Sequence, residues 1–457
     1  MRSLLRCRAG NFSPRASLTT AERANRAGLP PYRWTIAWLL GVGVLVNYFD
    51  RVNLSVSHQA LIATFGISNI AFGYLSGAYN WTYALCQLPV GVLLDKFGVR
   101  RVGRISTLLW SMASFSAAIT PNLTGFFLAR FLLGIGEAPT FPANAKAIGQ
   151  WFPARERSFA TAVFDSAAKF SSAIGVPLIG LMLLALGWRW SFAITGIISL
   201  LYFALFWRVY RNPQDAEWQK LQEKINDNAA GATNQITSYA ATETLIPPEK
   251  TSLGYLLRQK KVLGLALGFG SYNYVFYLLL TWLPSYLSQA LHINLRDSFL
   301  YTSVPWLFAT VTELLIGGLL VDWLVQQGRN ATRVRKIVLV GGTACGLGIL
   351  GAAHAHSAQQ ALLWISISIG GLSVASPVGW SIPSLIAPEG SVGTVGGIMN
   401  FSNQISGIAA PIVTGYLATA QHSFAAAFGV SAAYLLIGIA GYIFLLGRIE
   451  RIPAQAR

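Results

Sequence analysis

The chain has 457 residues, of which 53% are hydrophobic and only 11% are charged, and its mean hydropathy is +0.49. Soluble domains carry about 25% charged residues, so the composition indicates a membrane protein. The net charge of +17 could indicate nucleic-acid binding, but the basic residues lie between apolar runs, as expected of an orientation signal. Three scattered cysteines provide no disulfide framework or metal spacing, and we predict no cofactor.

Residues 1–33 form an arginine-rich start with a single acidic residue, Glu22. We expect a disordered cytoplasmic tail, because the segment has no apolar core of the kind found in secretory signals. An organellar transit peptide and a misassigned start remain open alternatives. Pro30 and Pro31 mark the entry to the first apolar run.

Apolar runs of about 20 residues, the length that crosses a bilayer, recur through the rest of the chain. Twelve are predicted, at 34–56, 71–94, 102–120, 123–145, 159–184, 189–209, 262–287, 298–323, 335–353, 360–385, 393–417 and 423–446. The expected fold class is therefore an all-α membrane protein with twelve transmembrane helices in two six-helix bundles.

The bundles are expected at 34–209 and 262–447. The cytoplasmic linker 210–261 joins them and contains a short amphipathic helix, and a cytoplasmic tail occupies 448–457. Lysines and arginines follow the second, fourth, eighth and twelfth runs and are absent from the loops between, at 57–70, 119–122, 354–359 and 418–422. This alternation predicts that both termini are cytoplasmic.

Arg130 and Glu137 lie seven residues apart inside one apolar run, where a charge costs roughly 2.5–3.5 kcal/mol. Two helical turns place them on one face, and Gly134 and Gly136 between them allow a close helix neighbour. The pattern favours a helix that lines a polar cavity, with a structural ion pair between packed helices as the alternative.

Asp50 and Arg51 form a second charged pair, in the first run. Adjacent residues point about 100° apart on a helix, so the two cannot serve one partner. We expect one of them to pair with Arg130 or Glu137 and the other to face the cavity.

A repeat links the two halves. Asp95 ends the second run and is followed by basic residues that include Arg101, and Asp322 ends the eighth run before another basic cluster. Carboxylates there can pair with loop arginines, so Asp95, Arg101 and Asp322 are predicted to form a cytoplasmic gate. Matching halves with charges near the midplane are typical of transporters.

Three stretches resemble a known family. Residues 91–101 resemble the loop signature of the major facilitator superfamily, and residues 47–54 and 130–139 are similar to its anion:cation symporter branch. The resemblance covers residues 34–450. It implies that Arg51 meets the substrate carboxylate, that Asp50 and Glu137 take up coupling protons, and that Arg130 modulates Glu137.

Other polar residues in the runs are weighed individually. Tyr48, Tyr83 and Asn400 are predicted substrate contacts, and Trp380 is a further candidate, with helix packing as the competing interpretation. Asp165 and Lys169 have the spacing of a helical ion pair and are interpreted as mainly structural. Glu313 is a weaker candidate for proton binding.

The sequence thus predicts proton-coupled symport of a small organic anion, such as a hexuronate, aldonate or aldarate. A sodium- or potential-driven anion or phosphate transporter and a transporter-like membrane sensor are the alternatives. We predict no enzyme activity, no metal and no nucleic acid, because the soluble segments contain no catalytic or nucleotide motif. The expected partners are the organic anion, protons and the lipid bilayer, with a monomer in a bacterial inner membrane.

Overall fold

The computed structural model describes residues 32–152, 157–212, 252–388, 391–421 and 423–453, and in these ranges the chain folds into helices without strands. Of the tail predicted at 1–33, only residues 32 and 33 are described. The amphipathic helix predicted in the linker lies outside the described residues. The last four residues of the tail at 448–457 also lie outside them.

In the amino-terminal half, the described residues 32–152 and 157–212 form seven helices. They are α1 (Tyr32–Val56), α2 (His58–Phe65), α3 (Asn69–Ile119), α4 (Leu123–Glu137), α5 (Thr140–Trp151), α6 (Arg157–Leu186) and α7 (Trp188–Val209).

The carboxy-terminal half, residues 252–453, contains helices that include two π-helical stretches. They are α8 (Leu253–Leu257), α9 (Lys260–Gln289), α10 (Leu295–Thr312), π1 (Glu313–Leu320), α11 (Val321–Gln326), α12 (Ala331–Gly346), α13 (Ile349–Ala353), α14 (Ala358–Ile386), α15 (Val392–Gln421), α16 (Ala425–Ala440) and π2 (Gly441–Leu445).

Helix α3 illustrates how the sequence sets the path of the chain. Ser68 caps its start by accepting a hydrogen bond from the amide of Ala71. A straight helix of 51 residues would be about 76 Å long, more than twice the ~30 Å core of a bilayer. Gly98 breaks it with φ +75° and ψ 165°, a conformation that suits glycine. The predicted runs 71–94 and 102–120 lie on either side of this break.

In the described part of the chain, eight helices are long and apolar enough to cross a membrane. A ninth is reached if α2 and residues 69–87, which meet at a bend of 115°, are counted as one span. The predicted run 123–145 is divided between α4 and α5, and the run 393–417 lies in α15. The multi-span helical architecture is therefore observed, whereas the count of twelve stays a prediction.

Helices of the two halves pack directly on one another. Helix α3 packs on α15, α6 packs on α10, and α9 packs on α15 within its own half. The polar site described below lies among these helices.

The two halves are also hydrogen-bonded where α1 ends, α2 begins and α9 ends. Ser55 donates to the carbonyl oxygen of Thr281 at 2.7 Å, and His58 Nδ1 lies 2.7 Å from Ser285 Oγ. Gln59 donates to Ser288 Oγ at 3.3 Å. We call these three contacts the end seal.

Gly136 lies at a close approach of α4 to α3. A Cβ atom there would lie 2.6 Å from the backbone nitrogen of Trp110, and backbone cannot yield as a flexible side chain can. We therefore expect Gly136→Ala to lower the free energy of unfolding by about 1–3 kcal/mol.

Gly429 provides the matched control, because a Cβ atom there has no neighbour within 4 Å. Gly429→Ala should be neutral or stabilising by up to about 1 kcal/mol. Thermal unfolding of both variants in detergent measures the difference, and equal midpoints would contradict the close approach.

Candidate functional site

A cavity of about 430 Å³, counting space open to solvent, lies between the two halves. Polar and aromatic side chains from both halves converge on it, as is typical of small-molecule sites. It is lined by Tyr48, Arg51, Tyr83, Phe141, Asp165, Lys169, Phe269, Tyr272, Asn273, Phe276, Tyr277, Ser376, Trp380, Asn400, Asn403 and Gln404.

Arg51 presents its guanidinium to this cavity from α1. Its Nε and Nη2 atoms lie 3.3 and 3.2 Å from the same oxygen of Glu137, which is fully buried. Nη1 donates to the hydroxyl of Tyr277 at 3.3 Å, and Nη2 also donates to the hydroxyl of Tyr79. The three guanidinium nitrogens are thus shared between one carboxylate and two phenols.

Aromatic rings surround the same guanidinium. Its carbon lies 4.4 Å from the ring centroid of Tyr48, 4.6 Å from that of Tyr79 and 5.7 Å from that of Tyr83. The faces of aromatic rings attract cations within about 6 Å, more strongly when water is excluded. These rings hold the cation in place without neutralising it, and its counter-charge is the carboxylate of Glu137.

Asp50 is not among the residues that line the cavity. One carboxylate oxygen accepts a hydrogen bond from Ser114 on α3, and the other accepts one from Ser199 on α7 at 3.2 Å. Arg130 donates to the backbone carbonyl of Asp50 at 3.3 Å.

One part of the expectation for Asp50 and Arg51 is confirmed, because Arg51 pairs with Glu137, and the other part is wrong, because Asp50 is not among the residues that line the cavity. Arg51 both pairs with Glu137 and lines the cavity, while the side chain of Asp50 bonds to two serines. Neighbouring residues do point about 100° apart on a helix, but this angle does not predict which helices lie opposite each residue.

A second charged cluster lines another part of the cavity. Lys169 lies 3.0 Å from Asp165, its neighbour one turn away on α6, and 3.0 Å from Glu313 of the other half. Ser376 on α14 donates to Asp165 at 3.2 Å. The interpretation of Asp165 and Lys169 as a self-contained pair is therefore incomplete, because Glu313 is a third member.

Trp380 and Asn400 reach the cavity from the carboxy-terminal half. Trp380 stacks on Phe141 with ring centroids 6.3 Å apart. Asn400 donates to Gln87 Oε1 at 3.0 Å, which joins the two halves. All five predicted substrate contacts, Tyr48, Arg51, Tyr83, Trp380 and Asn400, thus line one cavity. Their role as contacts stays a prediction.

The predicted cytoplasmic gate is described only in part. Asp95 lies in α3 and Asp322 in α11, but their side chains are outside the described part of the structure. Arg101 is exposed, just beyond the break at Gly98. The gate stays a prediction.

Sequence reasoning missed several cavity residues, of which Tyr277, Asn273 and Phe141 are the main examples. Asn273 and Tyr277 are separated by four positions and so share one face of α9, which was the available signal. Phe141 has no such pattern, because it lies just after the break between α4 and α5.

Residues 40–411 match the model of the Major Facilitator Superfamily, and the chain belongs to this family. It is thus a multi-pass membrane transporter, which confirms the predicted superfamily and the prediction that the chain is not an enzyme.

Similar proteins extend over nearly the whole chain. The uncharacterized transporter YybO of Bacillus subtilis is 38% identical over 95% of this chain and 98% of its own length. The probable galactarate/D-glucarate transporter GarP of Escherichia coli is 31% identical over 93% and 96%. A D-galactonate transporter of Escherichia coli is 30% identical over 92% and 97%.

Solved structures support the fold. A bacterial homologue of the human lysosomal transporter Spinster, in an inward-facing and unoccupied conformation, matches with a TM-score of 0.69 and 17% identity over 92% of this chain and 98% of its own. A D-xylose-proton symporter matches with a TM-score of 0.68 and 16% identity over 92% and 99%.

Proposed function

We propose that this protein is a secondary active transporter that carries a small organic anion, a sugar acid such as an aldarate, aldonate or hexuronate, together with protons. The observation that carries the proposal is the buried guanidinium of Arg51 in a cavity between the two halves. A planar guanidinium donates two parallel hydrogen bonds to a carboxylate, which suits an organic acid.

The rest of the cavity suits a polyhydroxylated ligand. Hydrogen-bond donors and acceptors lie beside its aromatic surfaces. They are the tyrosine hydroxyls, the amides of Asn400 and Gln404 and the hydroxyl of Ser376. The names of the galactarate/D-glucarate and D-galactonate relatives agree with such a ligand.

The pairing of Arg51 with Glu137 supports proton coupling. A substrate carboxylate at Arg51 would place two negative charges on one buried cation. A buried unpaired charge is costly, so binding of the anion favours a proton on Glu137. Anion and proton then load together and cross as a less charged unit. Arg130 donates a hydrogen bond to the backbone carbonyl of Asp50, the residue next to Arg51.

In this proposal the chain forms twelve spans in two six-helix bundles that rock around the cavity, with both termini in the cytoplasm. It acts as a monomer in a bacterial inner membrane. The basic loops and the packing of α3 on α15 and of α6 on α10 support this arrangement.

Labelling of single cysteines tests the topology. After Cys7, Cys86 and Cys345 are replaced by serine, cysteines at Asn122 and Asn330 should react from opposite sides, Asn122 from outside only. Both positions are exposed helix caps, and each side chain accepts a hydrogen bond from the backbone amide three residues later. Replacement by cysteine should therefore lower the free energy of unfolding by a similar ~1 kcal/mol at each position. The reverse pattern would overturn the orientation.

Counterflow in proteoliposomes tests the function. Vesicles loaded with an unlabelled sugar acid should transiently concentrate the labelled compound, and an imposed inward proton gradient should drive net uptake. Binding without counterflow would indicate a sensor instead. Accumulation that follows a sodium gradient or the membrane potential alone would assign the other coupling.

A further inference from the structure

The cluster of Asp165, Lys169 and Glu313 has no task in the mechanism above. Lys169 Nζ lies 3.0 Å from Asp165 Oδ2 and 3.0 Å from Glu313 Oε2. The side chains are 5%, 3% and 0% exposed for Asp165, Lys169 and Glu313, so water cannot screen their charges.

The charges of this cluster do not balance when all three groups are ionised, because two carboxylates face one ammonium. The described neighbours that act on it are Tyr48 on α1 and Tyr272 on α9, which are neutral phenols, and Ser376 on α14. Arg51 lines the same cavity, but its charge is paired with Glu137, and none of the described hydrogen bonds or ion pairs joins it to the cluster. A net negative charge buried in this way costs several kcal/mol, which a bound proton removes.

The hydrogen bonds identify which acid takes the proton. Asp165 Oδ2 accepts hydrogen bonds from Lys169 at 3.0 Å and from Ser376 at 3.2 Å, which favour its ionised form. Neither oxygen of Glu313 accepts a hydrogen bond of ordinary geometry, although one oxygen lies near Lys169. Glu313 is therefore the less stabilised anion.

The backbone at Glu313 is also unusual. Glu313 is the first residue of π1, where α10 changes from α-helical to π-helical geometry. π-Helical turns are rare and often occur at functional sites, because they redirect a side chain at some loss of stability. Here the side chain is directed across the boundary between the halves to Lys169.

We propose that Glu313 is a second proton-binding site, separate from the Arg51–Glu137 pair. Protonated Glu313 leaves Lys169 and Asp165 as a neutral pair at the cavity wall. When Glu313 loses its proton, its carboxylate holds Lys169 from the other half. Within the proposed transport function, on which this last step rests, an anion that approaches Lys169 therefore enters together with a proton on Glu313.

Infrared titration of the purified full-length protein tests the site without any substrate. The C=O stretch of a protonated carboxylic acid should appear on acidification, and Glu313→Gln should remove one such component. Glu450→Gln is the matched control, because Glu450 also pairs with a lysine, Lys261, but is 62% exposed. It should leave the component unchanged.

Glu313→Asp is a second variant, needed because loss of the component in Glu313→Gln could also result from misfolding. It keeps an acid at the position, so it should retain a titrating component at a shifted frequency. An identical set of components in the wild type and in both Glu313 variants would overturn the proposal.

Proton counting connects the site to transport. A sugar acid that binds is added to the protein in weak buffer, and the protons taken up on binding are counted. The Glu313→Gln variant should take up one proton fewer than the wild type. Equal uptake would overturn the role of Glu313 in loading. If no sugar acid binds the wild type, the proposed function fails, while the infrared result still decides whether Glu313 binds a proton.

Discussion

Replacing Arg51 by lysine is expected to weaken binding of the transported anion by at least about tenfold. Hydrogen bonds to charged groups contribute about 1.5–3 kcal/mol each, and 1.4 kcal/mol is a factor of ten in affinity. In the native site the guanidinium holds Glu137 and Tyr277 with different nitrogens while it lies against Tyr48. A single ammonium cannot keep those contacts and also offer a two-donor fork.

Arg189→Lys is the matched control for this prediction. Arg189 also lies over an aromatic ring, 4.3 Å from the centroid of Trp188, but it is exposed and remote from the cavity. Its replacement should leave the dissociation constant within about twofold, since surface substitutions change energies by roughly 0.5 kcal/mol or less. Calorimetric titration of both variants gives the comparison, and near-normal affinity in Arg51→Lys would remove Arg51 from the ligand site.

Glu137→Gln is expected to separate binding from coupling. Glutamine resembles the protonated acid, so Arg51 loses its internal counter-charge and is permanently available to the substrate. The variant should bind and exchange labelled for unlabelled substrate. It should not accumulate substrate in response to a proton gradient, and its affinity should depend less on pH than that of the wild type.

Uptake and exchange in the same proteoliposomes measure this difference. Glu450→Gln again serves as the control, since it removes an ion-paired carboxylate far from the cavity and should retain accumulation. A Glu137→Gln variant that still concentrates substrate against its gradient would exclude Glu137 as the coupling site. Asp50 and Glu313 would then be tested in its place.

The sequence located much of the candidate site because charges are rare in apolar helices. Arg51 and Glu137 could be selected from one sequence, since a charge at membrane depth needs a polar partner or a cavity. The structure places them in contact and places Arg51 at the cavity. Tyr48 and Tyr83 could be selected as hydroxyl-bearing residues within the first and second runs.

Partner choice could not be predicted in the same way. The contact of Lys169 with Glu313 joins opposite halves, and a periodicity within one helix carries no information about which helix lies opposite. The same limit applies to Asp50, whose two serine partners come from α3 and α7. The helix break at Gly98 depends on a positive φ angle. A glycine permits this angle but does not require it, so the break could not be predicted from the sequence.

The end seal has a consequence for sidedness. In a carrier that works by alternating access, Ser55–Thr281 and His58–Ser285 can exist in only one of the two access states. Each such hydrogen bond contributes about 0.5–1.5 kcal/mol, so together they bias the resting population toward the sealed state. The apparent affinity for a ligand falls in proportion to the fraction of molecules that are competent to bind it. A ligand offered at the sealed face should therefore bind with a lower apparent affinity than the same ligand offered at the opposite face.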